Sequence, residues 1–188
     1  MRHSEIGIDP SAPWPDTSDQ DELVPTRWRE TMTITSPGTR ERMIVTASLT
    51  SGIACVARGM TDSVNLIAEI IRMDHVEWET ILLVGTVEFH SSKAGPFPNH
   101  QLRVSVHPSA GFAALNYIDH DDPLLAIANS FNPKRPLPEV KLIFNGSTGS
   151  VFPRSAAIPV ADARKALLEW LHTWERPTCI EWRPYDAY

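Results

Sequence analysis

Cysteine is scarce in this chain. Cys55 and Cys179 are the only two among 188 residues, too few for a disulfide framework at this size. Each sits in an apolar setting, Ile-Ala-Cys-Val and Thr-Cys-Ile, which points to buried filler. The N-terminus, Met-Arg-His-Ser-Glu-Ile-Gly, is not followed by an apolar stretch, so no secretory signal is visible. No apolar run approaches the ~20 residues needed to span a bilayer. These absences predict a cytoplasmic protein with no membrane partner.

Signatures of catalysis are missing as well. There is no C-x-x-C and no H-E-x-x-H, the short spacings that a zinc site needs. His90, His100 and His107 could in principle converge, but loop and strand-end histidines are more often plain surface residues. No G-x-S-x-G elbow is present, and neither cysteine lies next to charge that would make it a thiolate nucleophile. The run Asn145-Gly-Ser-Thr-Gly-Ser150 resembles a phosphate-cradling loop. It lacks the Gly-Lys-Ser/Thr ending and does not lead directly into a helix, so it reads as a polar hairpin tip. The expectation is no catalytic residue, no cofactor and no metal.

A surplus of basic charge is also absent. The formal net charge is −6 and the pI is near 5.6. Phosphate contacts need Lys and Arg gathered on one face, so direct nucleic-acid binding is not expected. An acidic balance suits a face that meets a basic partner, although many soluble enzymes carry such charge for solubility alone.

What is present is an ordinary globular composition, 42% hydrophobic and 21% charged, with room for one domain. Of the sixteen prolines, fourteen gather in the first forty residues and between Gly95 and Pro159, where they act as punctuation. Residues 1–40 are weakly patterned and carry Asp16, Asp19, Asp21 and Glu22, which suits an irregular leader. Trp14 and Trp28 are signs that parts of it dock on the domain, which is read over 41–188.

Alternation begins near Arg42. Met43–Leu49 reads as a strand, Ser51-Gly52 as a turn and Ile53–Ala57 as the hairpin partner. Thr61 is the expected N-cap of a helix whose stripe is Val64, Ile67, Ala68 and Ile71, ending near Met73. A β-branched run from Trp78 to Phe89 reads as a strand with a bend at Gly85. Leu102–His107 and Phe112–Ile118 follow as strands, and Leu124–Ala128 and Val140–Phe144 as further short ones. Pro159 opens a second helix with the stripe Val160, Ala163, Leu167, Trp170, Leu171 and Trp174, stopped by Pro177. Cys179–Trp182 closes the chain as a last strand. The sum is an α+β fold: a single antiparallel β-sheet of about five to seven strands with two amphipathic helices packed on one face.

The most chemically charged stretch is Asp119-His120-Asp121-Asp122. Three carboxylates within four residues repel one another unless a cation, a helix N-terminus or a basic partner answers them. One reading is a solvated turn, favoured by Pro123. The functional reading is an acidic prong, which makes Asp119, His120, Asp121 and Asp122 the partner-binding candidates. A metal reading is the weakest, because the carboxylate spacing of a calcium loop is absent.

Several short motifs carry a likeness to a known family. They are the strand pair His100-Gln-Leu-Arg-Val-Ser-Val106 and Gly111-Phe-Ala-Ala-Leu-Asn-Tyr117, then Ile158-Pro159, then the ending Arg176-Pro-Thr-Cys-Ile-Glu-Trp182. With these motifs the chain resembles the first-numbered immunity family of bacterial polymorphic toxin systems, often encoded beside nucleic-acid deaminase toxins. The likeness spans roughly residues 42 to 183; the first forty residues and the segment 119–138 have no counterpart in it. The resemblance implies a protein without catalytic duty that binds a cognate toxin, one to one, and blocks its active or substrate-binding surface. Such binding needs about −12 kcal/mol and roughly 1,600 Å² of interface with a few anchors. Trp14, Trp28, Trp78 and Phe131 are the aromatic candidates. Two other readings stay open: a small hydrolase with a polar pocket near Asp119–Asp122, and an interaction module that inhibits nothing.

Overall fold

In the computed structural model, residues 42–89 and 98–185 are described. The leader read over 1–40, with Trp14 and Trp28, lies outside the described residues, as does His90.

Strand β1 (Ile44–Ser48) and β2 (Ala54–Arg58) form the expected hairpin, paired from Ile44↔Arg58 to Ser48↔Ala54. Gly52 makes the turn possible, because its φ of 77° is a conformation that side chains disfavour. Helix α1 (Gly59–Arg72) leaves β2 directly. It starts two residues before the expected cap, with Arg58 at the N-cap position, so Thr61 lies inside the first turn and caps nothing. The Ser63 hydroxyl donates instead to Gly59 O at 2.7 Å, one turn back.

Strand β3 (Thr80–Gly85) returns beside β1 rather than β2. From there β4 (His100–His107), β5 (Phe112–Asp119) and β6 (Ile127–Phe131) run as an antiparallel meander. Strand β6 begins three residues after Leu124, where the sequence reading starts it, because a polar turn uses residues 120–126 first. The run at 140–144 gives only β7 (Ile143–Asn145), which pairs with β8 (Ser150–Val151) in a separate small hairpin. The stretch Asn145–Ser150 is its tip, as read. A two-residue β9 (Ile158–Pro159) joins β5, helix α2 (Val160–Thr173) follows, and β10 (Glu181–Pro184) pairs with β6. The main sheet runs β10-β6-β5-β4-β3-β1-β2, with β9 attached to β5 as its eighth strand.

One face of this sheet is an apolar floor. Ala47, Leu82, Leu102, Tyr117 and Ala128 sit opposite one another across five strands, all buried. Ile67 and Ile70 of α1 and Ala163, Leu167, Trp170 and Leu171 of α2 pack on that floor in one cluster. Each fully buried Leu or Ile adds about 1.5–3 kcal/mol relative to leaving it exposed. The α+β architecture with two helices on one face is therefore the one expected. The opposite face is covered in part by the segment after β6, whose Leu142, Phe152, Ala156 and Ala157 pack around Ala114. No helix among the described residues is long and apolar enough to cross a membrane.

Candidate functional site

The four residues singled out by charge end β5 and open the turn to β6, and they do not behave alike. Asp122 is tied into the framework. Its Oδ1 accepts the amides of Leu124 at 2.9 Å and Leu125 at 3.0 Å, and its Oδ2 meets Arg176 Nη2 at 2.6 Å. The two amides, and then Arg176, hold this carboxyl below the usual carboxylate range. Arg176 also donates to Leu125 O at 2.7 Å, so one guanidinium clamps both ends of the turn.

Of the other three, His120 and Asp121 are exposed and Asp119 is half-buried like Asp122. Asp119 accepts the Asp121 amide at 3.0 Å and stands opposite His100 in the sheet. Asp121 is exposed and accepts from the Asn99 side chain. His120 is exposed, its amide donating to Asn99 O at 3.1 Å. The turn is therefore rigid at its base and charged at its tip. Leu124 follows with 93% of its surface exposed, the most exposed large apolar residue among those described.

Beside the turn lies an open cleft of about 490 Å³. Asp119, Asp122, Glu175, Arg176, Pro177 and Trp182 are among the residues that line it. The ending Arg176–Trp182 builds this wall by specific bonds. Trp174, at a left-handed φ of 62°, ends α2 and turns the chain toward Arg176. Glu169 then holds the next stretch, accepting the Thr178 amide at 2.7 Å and the Cys179 amide at 3.2 Å. The Cys179 thiol and these donors hold the Glu169 carboxyl down to about 2, while burial and that carboxylate push the thiol up to about 11. Cys179 is thus an inert, half-buried thiol, and so is Cys55, raised by burial. Trp182 Nε1 donates to Pro177 O at 2.7 Å.

The histidine cluster does not form from the members described. His100 and His107 begin and end β4, roughly 23 Å apart at the rise of a strand. Among the expected aromatic anchors, Trp78 is 45% exposed, whereas Phe131 is half-buried with the Arg183 guanidinium 4.6 Å over its ring. Charge and alternation overlooked Arg176, which bonds Asp122 from 54 residues away, and Glu175 beside it in the cleft wall. The signal available for Arg176 was its place at the head of the closing motif.

A twisted antiparallel sheet with two helices on one face and a clamped acidic turn at its end is the class of α+β protein this chain represents. The chain belongs to the family Immunity protein Imm1, whose family model matches residues 52–184. Membership gives its function class, toxin-neutralising immunity. No curated protein and no solved structure matches it.

Proposed function

We propose that this chain binds and neutralises one cognate bacterial toxin, a nucleic-acid-targeting deaminase or nuclease, by covering its active or substrate-binding surface. The observation that carries the reading is the family match, which runs from the β1–β2 turn through β10. The activity is assigned to residues 41–188 and to a cytoplasmic protein that acts as an inhibitor rather than an enzyme. Asp119, His120, Asp121 and Asp122 are assigned to the toxin interface, with a division of labour. Asp122 fixes the turn, and Asp119 and Asp121 present charge beside the exposed Leu124.

A toxin that acts on nucleic acid carries a basic substrate surface. A net charge of −6 supports approach to it, because complementary fields raise association rates. The test has two stages. Co-expression with the toxin encoded by the adjacent gene should rescue growth; absence of rescue by the wild-type chain ends the reading. In the purified complex, the double variant Asp119→Asn, Asp121→Asn should lower the association rate on the order of tenfold at low salt and flatten its salt dependence. Dissociation should change much less.

A further inference from the structure

The geometry points to the β2 edge of the main sheet as a second contact, one that receives an extended strand of the cognate toxin; this rests on the immunity reading above. Strand β2 is one of the two strands that end the sheet, with β1 as its neighbour. The printed bonds fix which of its backbone groups face outward. Leu49 N donates to Ile53 O at 2.9 Å and Gly59 N to Met43 O at 2.7 Å. In an antiparallel ladder bonded pairs alternate, so Ile53, Cys55, Ala57 and Gly59 face β1. Ala54 and Val56 therefore turn both N–H and C=O away from the sheet. Arg58 turns its N–H away, while its carbonyl, at the N-cap, is taken by the helix. No backbone partner is found for these outward groups among the described residues.

The two edges of the sheet differ in how they are guarded. Strand β10 carries exposed Glu181, Arg183 and Pro184, the charges and proline that discourage pairing. Strand β2 has no proline, and its one charge, Arg58, stands at the helix end and pairs with Glu88. Its register with β1 is unbroken, so no bulge turns the edge away. Ile53, 61% exposed, extends the apolar character to the start of the strand. Small side chains leave the backbone open to close approach, which is the chemistry of strand addition.

Two copies of this chain joined through so short a strand would bury well under the ~1,000 Å² that a stable pair needs. The occupant is therefore a partner held elsewhere as well. Strand β2 ends at Arg58, at the same end of the sheet as Asp119, four strand spacings or roughly 20 Å away. One toxin domain can span both.

The test uses the full chain and the purified toxin from the adjacent gene. Val56→Pro removes an N–H that points outward, so the ladder to β1 is kept. Ala54→Lys adds a guard at an exposed position and carries the test should the proline variant fail to fold. Both should weaken toxin affinity about tenfold or more, with thermal midpoints close to wild type. Wild-type binding that both folded variants match within about twofold overturns the edge assignment and leaves the immunity reading standing. Failure of the wild-type chain to bind removes the immunity reading itself. A dimer of the chain alone that Val56→Pro abolishes gives the edge to a second copy and overturns the toxin assignment.

Discussion

The two faces of the main sheet are built by opposite means. The helix face is held by volume: Ala47, Leu82, Leu102, Tyr117 and Ala128 line up under α1 and α2, and their contacts have no preferred direction. The other face adds bonds of fixed direction to its smaller apolar cluster around Ala114. Arg103, Asn116, Asn129 and Arg183 stand in one register row on it. Arg103 donates to Phe144 O at 2.6 Å, lies 4.6 Å over the Phe144 ring and sits 3.6 Å from Glu79. Glu79 in turn accepts the Gly146 amide at 2.9 Å, so a single ion pair pins the small β7–β8 hairpin over the sheet. A face of the first kind tolerates a change of shape at constant volume, whereas a face of the second kind depends on each partner.

The largest effect should come from the helix face. Trp170 is completely buried between α2 and the floor, and Trp170→Ala should cost about 4 kcal/mol in chemical denaturation. A volume-conserving Leu167→Met in the same cluster should cost less than about 1.5 kcal/mol. If the two changes cost the same, packing volume is not what holds this face.

That contrast also explains what the sequence could reveal. Alternation located β1 and β4, because a buried face imposes a period of two. Alternation along β4 puts Arg103 and Ser105 on the polar side of a half-buried strand, and the structure covers both. Period alone tells that two faces differ; it does not tell which segment later folds over the polar one. The cover comes from residues 132–157, whose proline-broken run gives no sign of its target. In the turn the charge of Asp119, Asp121 and Asp122 was legible. The bond that makes Asp122 structural was not, since Arg176 lies 54 residues away.

The next effect tests the directional face. Arg103→Met leaves Glu79 buried with only the Gly146 amide, where the side chains of the pair are 13% and 7% exposed. Such a loss should cost about 3 kcal/mol, the low end for breaking a buried pair. Adding Glu79→Gln should recover at least half of it, because the stranded charge goes. Full additivity of the two substitutions in a double-mutant cycle would show that the ion pair does not act as one unit.

The smallest effect separates polar residues that hold this face from one that merely sits in it. Ser105 is fully buried on the same face as Arg103, yet its Oγ has no hydrogen-bond partner among the described residues. Asn116, opposite Arg103, donates to Asn129 Oδ1 at 2.9 Å and Ala128 O at 3.2 Å. A buried hydroxyl that bonds to nothing costs its desolvation and returns little, so Ser105→Ala should leave stability within about 0.5 kcal/mol or raise it. Asn116→Ala should lower it by about 1–2 kcal/mol, since it strands the Asn129 acceptor. Equal losses at the two positions would mean that burial of polarity, not bond direction, organises the face. The distinction drawn between the two sides of the sheet would then reduce to composition.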